Sequence, residues 1–82
     1  PTLPELALRI RDVADDDNVT ATRLAAVIST DAGLTTRIIR IANSPLYRGV
    51  APIDTLSFAL TRIGLRPAAN LALGMAMQQL FQ

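Results

Sequence analysis

Apolar residues recur every three or four positions along most of the chain, and this spacing predicts α-helices. The first predicted helix covers residues 3–14, with an apolar stripe formed by Leu3, Leu6, Ile10 and Val13. Further helices are predicted over 21–29, over 32–43, from a cap at Asp54 or Thr55 to Gly64, and from Pro67 to about Phe81. No segment has a convincing strand pattern. The predicted fold is therefore all-α, a compact array of five short helices.

The ends of these helices carry recognisable signals. Thr2 stands three residues before Glu5, as in a capping box, and Thr20 and Asp31 are favoured N-cap residues. Pro45 stops the third helix, because the residue before a proline avoids the helical region. The predicted inward residues of helices two to four are Leu24, Val27, Ile28, Leu34, Ile38, Ile41, Ala42, Leu56, Ala59, Leu60 and Ile63. The predicted outer face of the third helix is formed by Thr36, Arg37, Arg40 and Asn43.

The fifth helix has large apolar residues around its whole circumference, namely Leu71, Leu73, Met75, Met77, Leu80 and Phe81. Such a helix is expected to be buried on all sides. Four short helices can cover only one side of it, so we expect further chain or a partner subunit on the other. The candidate interface residues of this buried helix are Leu73, Met75, Met77, Leu80 and Phe81. The alternative is that Ala68, Ala69, Ala72 and Ala76 line an exposed face.

Size and composition support the same expectation. A domain of 82 residues buries only about 60% of the surface that its unfolded chain exposes. Half of the residues are nevertheless apolar, which is high for so short a chain. We therefore expect residues 1–82 to form a single helical domain that is only part of a larger one.

The charged residues limit the chemistry that the chain could perform. It has no His, Cys or Lys, and all eight of its cations are Arg. Without His, a general base that works near neutral pH is missing, and the serines have no partner to activate them. Three Arg against six acids give residues 1–31 a charge of −3, and five Arg against Asp54 give residues 32–82 a charge of +4. We therefore expect no catalytic residue and no cofactor, and nucleic-acid binding is not favoured.

Two other classes of site are also disfavoured. The acidic run at 15–17 would need a Gly and a Glu at the positions of Thr20 and Ala26 to form an EF-hand calcium loop, so it is interpreted as a solvated turn. No apolar run approaches the roughly 20 residues of a membrane span, and no signal-peptide pattern is present. We expect a cytoplasmic protein with no membrane contact and no bound metal.

The middle of the chain contains a candidate partner or anion surface, formed by Arg37, Arg40, Asn43, Tyr47 and Arg48. Arginine suits bidentate contacts with phosphate and carboxylate groups. The alternative is that each arginine is solvated or pairs with an acid. Residues 24–43 also resemble a helix-turn-helix, in which the third helix would contact DNA. The usual turn register is not matched, because Ser29 stands four residues before Gly33.

The central segments 24–31 and 34–45 resemble the signature of HDOD domains, a family related to the HD phosphohydrolases. Leu3-Pro4, Pro52-Ile53, the run 59–65 and the run 70–73 resemble other parts of the same family. The resemblance implies that the chain is the N-terminal part of a larger HD-like helical domain. It further implies loss of the metal-binding His and Asp residues and a regulatory output role in bacterial signal transduction.

Three functional hypotheses remain. The first is a non-catalytic regulatory module that acts through protein–protein interaction, with another protein, a further domain of its own chain or a second copy. The second is a helix-turn-helix-like DNA-binding regulator. The third is part of a metal-dependent phosphohydrolase whose catalytic residues lie outside these residues.

Overall fold

The computed structural model describes residues 2–47 and 51–81, which form five α-helices and, within those ranges, no strand. The helices are α1 (Leu3–Ala14), α2 (Ala21–Ile28), α3 (Ala32–Ala42), α4 (Leu56–Ile63) and α5 (Leu65–Gln79). The all-α prediction is confirmed. None of these helices could span a membrane, since the longest, α5, has 15 residues.

Side-chain caps fix the start of the first three helices. The hydroxyl of Thr2 accepts a hydrogen bond from the Glu5 N–H at 3.3 Å, and that of Thr20 accepts one from the Arg23 N–H at 3.1 Å. The Asp31 carboxylate accepts one from the Leu34 N–H at 2.8 Å. Each bond satisfies an N–H that has no partner within its own helix. All three caps are the ones that the sequence predicts.

The boundary between α4 and α5 differs from the prediction. Gly64 ends α4 as expected, with its N–H on the Leu60 carbonyl at 2.9 Å, but α5 begins at Leu65 and not at Pro67. Gly64 has φ +103°, a region open to glycine, and this turns the chain directly from one helix into the next. Pro67 fits in the first turn of α5 because the N–H that it lacks would have no helical acceptor there.

The core contains the face of α5 that carries its small alanine side chains. Ala68, Ala69, Ala72 and Ala76 are no more than 1% exposed, and they lie in one cluster with the inner residues of the other four helices. The alternative in which these alanines line an exposed face is therefore wrong. Small side chains allow the backbone of α5 to approach its neighbours closely, and α5 packs most extensively against α1.

One flank of α5 and the two residues that follow it are only partly covered by α1–α4. Met77, Leu80 and Phe81 are 46%, 39% and 85% exposed, although the pattern predicts burial on all sides. Met75, in contrast, faces the core and is 9% exposed. These side chains stay exposed because four short helices enclose only one side of α5, and that side carries the alanines. Of the other inward predictions, Leu3, Val27 and Ile41 are only partly buried.

Asn43 joins the end of α3 to the loop before α4. Its side-chain amide donates to the Ile53 carbonyl at 2.7 Å, and its side-chain oxygen accepts from the Ile53 N–H at 2.7 Å. Asn43 is therefore partly buried and directed at the protein backbone, whereas the sequence places it on the outer face of α3. This two-way bond holds the two ends of the loop together.

The acidic turn between α1 and α2 is organised by Asp16. Its carboxylate accepts hydrogen bonds from the Arg23 guanidinium and, at 2.8 Å, from the Asn18 N–H. The Arg23 hydrogen bond first, and the Asn18 bond second, lower the pKa of Asp16 below its ordinary value. The turn thus uses its acidic group to bind its own backbone and the first turn of α2.

Substitutions at Gly74 and Ala72 test how closely α5 packs on each of its faces. A Cβ added at Gly74 meets no atom within 4 Å, so Gly74→Ala should raise the free energy of unfolding by about 0.5–1 kcal/mol through helix propensity. At the fully buried Ala72, Ala72→Leu should instead lower it by about 1–3 kcal/mol through overpacking. Urea denaturation of both variants measures these changes. Equal effects of the two substitutions would contradict the assignment of faces.

Removal of the Asn43 side chain should destabilise the fold. Asn43→Ala leaves both backbone groups of Ile53 without their partner, and we expect a loss of about 1–3 kcal/mol in the free energy of unfolding. Asn43→Asp keeps the acceptor for the N–H but turns a carboxylate oxygen towards the Ile53 carbonyl, so it should also destabilise the fold. Chemical denaturation gives both values. An Asn43→Ala variant as stable as the wild type would refute the role of the loop bond.

The Asp16–Arg23 pair should make stability depend on pH in acid. A carboxyl whose folded pKa is lowered stabilises the protein above the unfolded pKa, and this contribution is lost as the pH falls through the folded pKa. Arg23→Gln should raise the pKa of Asp16 towards its ordinary value. It should also lower stability slightly at neutral pH, but no longer once the carboxylate is protonated. NMR titration of the Asp16 carboxyl carbon measures the pKa, and an unchanged value in Arg23→Gln would contradict the cause.

Candidate interaction surface

An apolar groove lies between α1 and α5 on the side of α5 that the core leaves open. Its volume is about 300 Å³. The lining residues are Pro4, Ala7, Leu8, Arg11, Leu73, Met77 and Leu80. We call this feature the α1–α5 groove. Large apolar side chains that are exposed to solvent line this groove, including Leu8, which is 64% exposed.

The groove has a simple chemical character. Arg11 is its one charged lining residue, and it lies on the last turn of α1. Within residues 2–47 and 51–81 the one ion pair is Arg23–Asp16, so Arg11 is not neutralised by an acid there. No acidic or nucleophilic side chain lines the groove. The arrangement can therefore bind apolar side chains and one negative charge, but it offers no group for acid–base or covalent chemistry.

The predicted interface residues of α5 separate into two groups. Leu73, Met77 and Leu80 line the groove, and Phe81 is exposed immediately after them. Met75 belongs to the core and is not available to a partner. Leu8 is not among the predicted interface residues, because it lies off the apolar stripe of its helix. A single exposed leucine is ordinary on a protein surface, and only its proximity to α5 gives it meaning.

The residues of the predicted partner or anion surface around α3 lie in different environments. Arg37 is partly buried and Arg40 is exposed, one turn apart on α3. The Asn43 amide is engaged by Ile53, Tyr47 packs partly buried against the core, and Arg48 lies outside the described residues. A role for Arg37 and Arg40 stays a prediction.

Other polar groups of the middle region bind backbone carbonyls. The Arg62 guanidinium donates to the Ala51 carbonyl at 2.9 Å, and its other terminal nitrogen is buried without a hydrogen-bond partner in the part of the chain that is described. Arg66 donates to the Ala14 carbonyl at 3.4 Å, which ties the start of α5 to the end of α1. Thr36 donates to the Ala32 carbonyl of its own helix at 3.0 Å. The helix-turn-helix hypothesis stays a prediction.

A metal site would need several ligands at one place. Among residues 2–47 and 51–81, no group of three or more His, Cys, Asp or Glu residues could hold a metal ion. The whole sequence also lacks His and Cys, the side chains that bind transition metals best. These residues therefore do not fit a catalytic metal centre of their own.

Comparison with known proteins places this helical array in a family. The HDOD domain model matches residues 1–82, and no curated protein matches the sequence significantly. A crystal structure from Shewanella amazonensis SB2B, of a protein provisionally named a metal-dependent phosphohydrolase, is similar with a TM-score of 0.83 and 40% sequence identity. The match covers 100% of this chain and 29% of that one, so the chain spans less than a third of the solved structure. Because the family model matches the whole of this chain, the chain belongs to the HDOD domain family.

Proposed function

We propose that this chain is a non-catalytic regulatory module of bacterial signal transduction, and that it acts through protein–protein interaction at the α1–α5 groove. One observation carries the proposal. α5 buries its alanines, whereas Met77 of α5 and Leu80 just after it line a groove with the exposed Leu8 of α1. Contiguous exposed apolar surface of this kind typically marks an interaction site.

Burial of this apolar surface by a partner would be energetically favourable. Full burial of a Leu or Met side chain is worth about 1.5–3 kcal/mol relative to its exposed state. Leu8, Met77 and Leu80 would each gain part of that value from a partner that excludes water from the groove. Because α5 is oriented in this way, the fold of residues 2–47 and 51–81 does not gain the full burial free energy of these side chains. The remainder is available to a binding partner.

The relation to the longer solved structure supports a particular arrangement. The chain matches 29% of that protein. Because its sequence resembles the first part of an HDOD domain, we propose that residues 1–82 form the N-terminal part of a larger helical domain. Further helices of the same protein, a separate protein or a second copy could each cover the groove. Regulation would consist of a change in what occupies it, because an apolar site on a rigid helical frame can exchange occupants without refolding.

A second function is favoured by the name of the similar structure, which refers to a metal-dependent phosphohydrolase. In that case residues 1–82 would supply scaffold, and the metal ligands would lie elsewhere in a longer protein, since this chain has no His. Metal-dependent release of phosphate by the full-length protein would favour this function over the first.

Met77 and Met75 provide a matched test of groove coverage. In the purified 82-residue chain, dilute hydrogen peroxide should oxidise the exposed Met77 several times faster than the buried Met75. In bacterial cells that express the full-length protein, Met77 should be protected to nearly the level of Met75. Mass spectrometry of the recovered protein measures both sulfoxides.

A control variant should remove that protection. Leu8→Asp places a charge in the groove, so Met77 should again be oxidised quickly in cells. Phe58→Asp, at an exposed apolar residue of α4 that does not line the groove, should leave the protection unchanged. Oxidation of Met77 in wild-type cells at the rate of the purified chain would refute the proposed function.

A further inference from the structure

We draw no further inference here: the strongest candidate, the apolar groove between α1 and α5, carries nothing beyond the proposed function, because nothing in the structure shows whether further helices of the same domain, a partner protein or a second copy covers it.

Discussion

Close packing of the alanine face of α5 is the constraint on which the rest of the structure depends. A helix repeats every 3.6 residues, so the positions of Ala68, Ala72 and Ala76 lie along one side. Because that side is in the core, the position of Met77 lies away from it, and Leu80 follows directly after the helix ends. The exposed apolar surface is thus a direct consequence of which side chains allow the helices to approach closely.

A glycine turn and side-chain hydrogen bonds to the backbone hold the other helices in positions that make this packing possible. Gly64 turns the chain from α4 directly into α5, and Arg66 binds the last carbonyl of α1 at the same end of α5. At the far end of the loop before α4, the Asn43 amide binds both backbone groups of Ile53. Several polar side chains of the middle region therefore bind the protein's own backbone.

The family and the site are consistent with each other. This HDOD chain has no His, and its described residues contain no cluster of three or more potential metal ligands. What they do contain is an apolar groove with one cation.

The positions of the helices could be predicted from the chain alone, because caps and apolar periodicity depend on residues three or four apart. Thr2, Thr20 and Asp31 each bind an N–H three residues further on. The face of α5 that is buried could not be predicted in this way, since Ala72 and Met77 are both compatible with a core until the size of the facing surface is known. The hydrogen-bond partner of Asn43, which is ten residues away, could not be predicted from the chain alone either. The same holds for the proximity of Leu8 and Met77 in one groove. These contacts join residues distant in sequence, and they arise only when packing brings two helix surfaces together.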